Sequence, residues 1–229
     1  MSEQPRLRIG ELAALGPYFA LYREEGGSPG WRPVTAVISD GGELDQIIDG
    51  VAARLGAAPP WIAASVFYQG WAARLTSIYA GSIVLGGAIP DLSASSLRFR
   101  QPRSGPVELA AAPVTAVDRR AGWRRLLADH LDPLADAVRR RVRIGRHLLY
   151  GNLASALAGS VLMLAQGGHA RLTDLIREDW AQPAELARYG QWRSTGDSIC
   201  YARTTCCGYD QLPGAGRCGD CSLAWRSWP

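Results

Sequence analysis

Apolar positions keep helical spacing over long stretches of the chain and alternate over only a few short ones. Leu44, Ile47, Ile48, Val51 and Leu55 repeat at the 3.6-residue period, with Asp40 or Gly42 near the start and Gly56 at the end, which predicts a helix. Pro59-Pro60 opens a longer helix from Trp61 through Val66, Trp71, Leu75, Ile78 and Val84; Gly70 is a soft point in it and Gly86-Gly87 ends it. Trp123, Leu126, Leu127, His130 and Leu131 mark a further helix, and Asp132-Pro133 reads as an N-cap with proline at N1 that starts another. Leu148 to Ala165 is the most apolar segment and is stopped by Gly167-Gly168. Thr173 to Trp180 and Pro183 to Tyr189 predict short helices, and Leu7 to Tyr22 a weak one broken at Gly16-Pro17.

Strand signals are fewer. Val34 to Ile38 reads as a short strand. Ser96 to Gln101 and Val107 to Ala110 read as a hairpin across Pro102-Arg103-Ser104-Gly105-Pro106, because Leu97, Phe99 and Gln101 alternate with Arg98 and Arg100. Pro113 to Val117 adds a candidate third strand. The last forty residues lose the helical period and become rich in Gly and Cys. The expected fold is α+β: a mainly helical body over residues 1–195, a small antiparallel sheet, and a C-terminal metal-organised segment over 196–229, forming one compact unit.

Composition adds little to this picture. Hydrophobic residues make up 47% and charged residues 20%, ordinary for a globular protein, and the net charge is +4. All 25 basic residues are arginine, interspersed with Asp and Glu, which reads as a solvated face. No nucleic-acid motif stands behind them, so nucleic acid is not an expected partner. Met1 to Arg6 is polar and lacks the apolar stretch of a signal peptide, and the Leu148–Ala165 segment is interrupted by Tyr150, Gly151, Asn152, Ser155 and Ser160, as in a buried helix. The expected location is the cytoplasm, where peripheral contact with the inner face of the membrane is compatible with the sequence.

Chemistry concentrates at the C-terminus. Four of five cysteines fall there, as Cys206-Cys207, ten residues, then Cys218-Gly-Asp-Cys221. Four thiolates are the ligand count of both zinc and iron–sulfur centres, and in a cytosolic chain an odd cysteine count favours metal ligation over disulfides. Cys218 and Cys221 make a chelating half-site common to both. Consecutive side chains diverge, so Cys206 and Cys207 suit the two separate irons of a [2Fe–2S] core better than one tetrahedral zinc. A sharp turn at the pair still permits zinc.

Arg203-Thr204-Thr205-Cys206-Cys207-Gly208-Tyr209-Asp210-Gln211-Leu212-Pro213-Gly214, followed by Cys218-Gly219-Asp220-Cys221-Ser222-Leu223, closely resembles the C-terminal signature of the FhuF-like ferric siderophore reductases. Trp61 to Pro90 and Leu131 to Leu164 resemble the family's two long helical stretches more loosely. The resemblance implies a cytoplasmic protein in which Cys206, Cys207, Cys218 and Cys221 bind [2Fe–2S]. It implies one-electron reduction of iron(III) in a ferric siderophore, with no catalytic residue beyond the cluster ligands. An electron donor is then required: a ferredoxin, a flavin reductase or a low-molecular-weight thiol. Two other classes use the same residues. One is an electron carrier or redox or iron sensor without a siderophore site; the other is an interaction domain with structural Zn(Cys)4. A helical body of this size favours the reductase, since a bare carrier has little use for it.

Several residues invite sharper readings than they support. Gly214-x-Gly216-x-x-Gly219 matches a dinucleotide fingerprint formally but follows no strand, opens no helix and contains Cys218; its glycines read as a close-fitting loop that brings amides to the sulfurs. His130 sits on an apolar helix face and reads as a satisfied core residue, His147 as surface or interface, and His169 has no partner at metal spacing. Cys200 reads as a small core residue, with a place beside the cluster as the alternative. Trp225 and Trp228 read as an apolar clasp on the helical body, or, with Tyr209, Arg203 and Arg217, as a shield of the cluster.

Overall fold

The structure is a computed structural model and describes residues 6–24, 29–39, 42–102, 104–111, 114–169, 184–195 and 198–225. The expected helix over Thr173–Trp180, the Arg103 turn, Arg226 and Trp228 lie outside the described residues, as does the Trp225 side chain. The fold is α+β, with long helices at its centre and three small sheets around them.

In chain order the elements begin with α1 (Ile9–Leu12), β1 (Tyr22–Arg23), β2 (Arg32–Pro33), α2 (Thr35–Ile38), α3 (Glu43–Arg54) and α4 (Pro60–Val84). Next come β3 (Ile89–Pro90), β4 (Leu97–Arg100), β5 (Glu108–Ala111), β6 (Ala116–Val117), α5 (Arg119–Leu126), α6 (Asp132–Arg141) and α7 (Arg146–Leu164). The chain closes with α8 (Ala184–Ala187), β7 (Gly190–Thr195), β8 (Ser198–Arg203) and α9 (Ser222–Trp225).

Helices α4 and α7 pack on each other along the centre of the molecule. Both are apolar nearly all round, as befits helices enclosed on most sides. Small residues on each let the backbones approach, and a ladder of polar pairs crosses the seam. Asn152 Nδ2 donates to Ser65 O and Oγ at 3.0 and 2.9 Å, Gln69 Nε2 to Ser155 Oγ at 3.2 Å, and Ser160 Oγ lies 2.9 Å from Ser77 Oγ. Each satisfies groups whose burial alone would be costly. The Arg146–His169 stretch is long and apolar enough to cross a membrane, but 72% of its apolar window is buried inside the fold, as in a core helix.

The β4–β5 hairpin is antiparallel in the register Leu97↔Ala111 to Arg100↔Glu108, with Leu97 and Phe99 inward as their alternation requires. β1 joins β5 in parallel and β2 joins β4 antiparallel, giving the sheet order β1-β5-β4-β2.

Three expectations are corrected. Val34–Ile38 is not a strand: the strand is Arg32–Pro33, the Val34 amide makes a last bond to Leu97 O at 3.0 Å, and α2 follows. Its β-branched residues suggested a strand, but Val34 and Val37, both 0% exposed, bury on one side at helical i, i+3 spacing. The third strand, Ala116–Val117, pairs with Ile89–Pro90 in a separate ribbon instead of extending the hairpin. Asp132 is no N-cap: Leu131 and Asp132 are both helical, and one π-turn over Leu127–Leu131 carries the helix through to Pro133. The wider turn accommodates the missing proline N–H, and the Asp132 carboxylate accepts from the Tyr150 hydroxyl. One element has no counterpart in the sequence reading. β7 and β8 pair from Gly190↔Arg203 to Thr195↔Ser198, a hairpin that spans residue 195 and leads directly into the cysteines.

Candidate metal centre

Arg203, the last residue of β8, sets the cysteine segment in place. Its amide donates to Asp220 O at 3.1 Å, tying the Cys218–Cys221 turn to the strand end, and the Cys221 amide closes that turn on Cys218 O at 3.0 Å. The Thr204 amide donates to Tyr189 O at 2.8 Å, and Thr205 packs on Gly151 of α7. After the pair, Gly208 takes φ +83°, and its Cα lies against the Trp61 ring at the start of α4. The left-handed turn and the absent side chain are both needed there.

The two members of the vicinal pair diverge, as expected of consecutive residues. Cys206 Sγ donates to Asp210 Oδ1 at 3.1 Å and accepts from the Gly208 amide at 3.3 Å. Burial and the Asp210 carboxylate push its thiol up to about 11, against the opposing pull of that amide. Cys207 turns the other way, onto Cys218, and their sulfurs share a hydrogen bond. This contact, with Arg203 and the Tyr209 amide, holds the Cys207 thiol below its ordinary range and raises that of Cys218. Cys221 is 1% exposed.

A buried cation faces these sulfurs. The Arg203 side chain has no exposure; Nη2 donates to Cys218 Sγ at 2.9 Å, Nη1 to Asn152 Oδ1 at 3.1 Å, and Nε lies 3.8 Å from Asp220 Oδ1. Burial pulls its acidity toward the neutral form, but Asp220, Cys207 and Cys218 more than offset that and keep it charged.

Among the described residues, no three His, Cys, Asp or Glu side chains stand together in a ligating arrangement. The structure brings two of the four expected ligands, Cys207 and Cys218, into contact, while Cys206 faces Asp210. The donor set is nonetheless compatible with a thiolate-bound centre. Four cysteines lie within one loop system, backbone amides reach Cys206 and Cys207, and a charge-compensating guanidinium is fixed on Cys218. Those amides belong to Gly208 and Tyr209, not to the Gly214–Gly219 run from which they were expected, and that run opens no helix.

A groove of about 700 Å³ opens beside the cysteines. α4 contributes Val66, Gln69, Gly70 and Ala73; α7 contributes residues from Ser155 to Met163; Cys207 and Cys218 stand in the wall toward the tail. Tyr209, Met163 and Ile199 are its exposed apolar residues, and among the described residues Asp220 is the single charged one in the lining. Cys200, half-buried on β8, lines this groove with the two cysteines, so it is a neighbour of the site and not a core residue. Nothing in the sequence pattern signalled the groove, because its walls come from three distant segments. His130 is remote from the site and satisfied, accepting from Trp71 Nε1 at 2.9 Å and bonded through Nδ1 to Leu92 O at 2.8 Å; His147 is exposed. No protein-family model matches the chain, and comparison with curated proteins returned no match.

Proposed function

We propose that the protein is a cytoplasmic ferric siderophore reductase in which Cys206, Cys207, Cys218 and Cys221 hold a [2Fe–2S] core. The observation that carries this reading is the groove: two of the four cysteines form part of the wall of a cleft of about 700 Å³, large enough for a small-molecule ligand. When bound, the core would supply single electrons, and siderophores hold iron(II) far more weakly than iron(III), so one electron releases the metal.

The chain's own residues bind and place. α4 and α7 supply rigid walls locked by their polar ladder, so a ligand would meet a preformed surface. Val66, Ala73, Leu162 and Ile199 offer apolar contact and Gln69 and Gln166 hydrogen bonds; among the described residues, the lining has no arginine. Burial of Cys221, Cys207 and Arg203 keeps water from the inner side of the site, leaving the groove side for approach. Proton transfer is not required of any residue, since release follows from the change in iron charge. A bare electron carrier would have no use for such a cleft.

The test is anaerobic mixing of reduced protein with hydroxamate, catecholate and carboxylate ferric complexes. Single-electron reoxidation with iron(II) appearing in a ferrous chelator is the expected result. An iron-loaded protein that reacts with none of the three is a carrier or sensor.

A further inference from the structure

Arg203 is a permanent cation with almost no access to water, 2% exposed, and a buried unpaired charge is strongly unfavourable. Its one carboxylate neighbour is poorly placed. Asp220 Oδ1 is 3.8 Å from Nε, and among the described residues neither Nε nor Asp220 Oδ2 has a hydrogen-bond partner. The well-formed contacts go elsewhere, to Cys218 Sγ and to Asn152 Oδ1. Asn152 is itself 0% exposed, and its amide is oriented by two bonds to Ser65 on α4. The guanidinium is thus aimed at sulfur by two side chains in succession, Asn152 and Ser65, running through the α4–α7 seam.

Resting on the reading of the cysteines as an iron–sulfur centre, we infer that Arg203 is a positioning residue. Held by Asn152 and Ser65, it fixes Cys218 and makes the centre easier to reduce by facing it with a buried positive charge. The physical basis is general. Four thiolates give the site net negative charge, an incoming electron adds to it, and a fixed cation a hydrogen bond away in a water-poor setting offsets that addition. Hydrogen bonds to coordinating sulfur act in the same direction, and the partners that orient a ligand act through it without touching substrate. Arginine suits the task because its planar fork serves Cys218 and Asn152 at once, which a lysine ammonium would do less well.

The experiment is a redox titration, followed by absorption and EPR, of anaerobically reconstituted wild type, Arg203→Lys, Arg203→Met and Asn152→Ala. Iron and sulfide content is measured on each. Arg203→Met should lower the equilibrium constant for one-electron reduction at least tenfold, a shift of 59 mV or more to negative potential. Arg203→Lys should fall between it and wild type. Should the neutral variant not retain iron, Asn152→Ala carries the test, because the charge stays and only its anchor is lost. Its EPR g anisotropy should change, with a smaller shift in potential. Iron-loaded variants with the wild-type potential and spectrum overturn the role of Arg203 while leaving the centre intact. Wild type that takes up zinc and no iron overturns the reading of the centre, and the redox role with it.

Discussion

Gly151 on α7 and Thr205, the residue before the cysteine pair, are packed so closely that Thr205 Oγ1 and Cβ occupy the space where a Cβ on residue 151 would stand. This contact couples the central helix to the cysteine-bearing loop. Gly151→Ala must push Thr205 outward and move Cys206 and Cys207 with it, because helix backbone yields less readily than loop. Overpacking of this kind costs about 1–3 kcal/mol. The expected outcome is a lower unfolding midpoint together with faster loss of metal. Combining it with Thr205→Ala should recover part of both, since the two residues touch and their effects are not additive. Equal losses in the single and double variants would place the damage elsewhere.

The ligand assignment has a direct chemical readout. Protein isolated without oxygen should be red-brown and carry about two irons and two sulfides per chain. Serine at any one of positions 206, 207, 218 or 221 should bleach or destabilise the centre. Cys200 lines the groove but is not among the four expected ligands, so Cys200→Ser should leave the absorption spectrum unchanged. Loss of assembly in Cys200→Ser would show that the four ligands have been chosen wrongly.

Much of this architecture is legible in the chain. The periodic runs at Leu44–Leu55 and Trp61–Val84 give α3 and α4 nearly to the residue, and the alternation around Leu97 and Phe99 gives the β4–β5 hairpin. What failed has a common cause. Local preference points to a strand at Val34–Ile38 and a helix start at Asp132-Pro133, and in both the backbone obeys a tertiary demand: burial of Val34 and Val37, and continuity through a π-turn. The β7–β8 hairpin was hidden because Gln191, Arg193, Ser194 and Thr195 dilute its alternation. The cysteines stood out by spacing alone. Arg203 as their fixed partner did not, since Asn152 and Ser65, which aim it, lie 51 and 87 residues away along successive links.

Arg74 anchors the N-terminal segment to the core. Its guanidinium is 1% exposed and meets only backbone oxygens: Nε donates to Val107 O at 2.7 Å, Nη1 to Pro17 O at 2.8 Å and to Tyr18 O, and Nη2 to Ala20 O. Burial lowers its pKa from 12.5 to about 10, still far above neutrality, so the cation persists across the physiological range. Arg74→Met would leave four carbonyls short of a donor, each worth about 1–3 kcal/mol if it stays buried. A net loss of about 3 kcal/mol or more is expected, which for a domain of this size lowers Tm by about 6–12 °C. Arg74→Lys should recover less than half, because one ammonium cannot span the four oxygens. Thermal unfolding of the three proteins checks the order, and a methionine variant as stable as wild type would remove Arg74 from the core's supports.

His130 makes folding stability sensitive to mild acid. It is fully buried between Trp71 and Leu92; its Nε2 accepts from the Trp71 indole, so the ring proton sits on Nδ1 and goes to Leu92 O. Both nitrogens are satisfied only in the neutral ring. Protonation would set a second donor against the indole N–H and charge a buried site. Burial, opposed weakly by the Leu92 bond, therefore lowers its pKa from 6.5 to about 4. The unfolded chain takes up a proton at pH values where the folded one does not, so stability falls as pH drops from about 6.5 to about 4, and this group adds nothing further below that. The full difference is about 3 kcal/mol, from the 1.36 kcal/mol carried by each pH unit. His130→Gln can still accept from Trp71 and donate to Leu92 but cannot titrate. It should be less stable than wild type at pH 7, and its stability should change less between pH 6.5 and 4. Urea unfolding of both proteins across that interval separates His130 from the carboxylates, which act on the two alike. Parallel pH profiles would mean that the imidazole opens to solvent or rotates to shed its charge conflict, and that its burial does not set the acid limit.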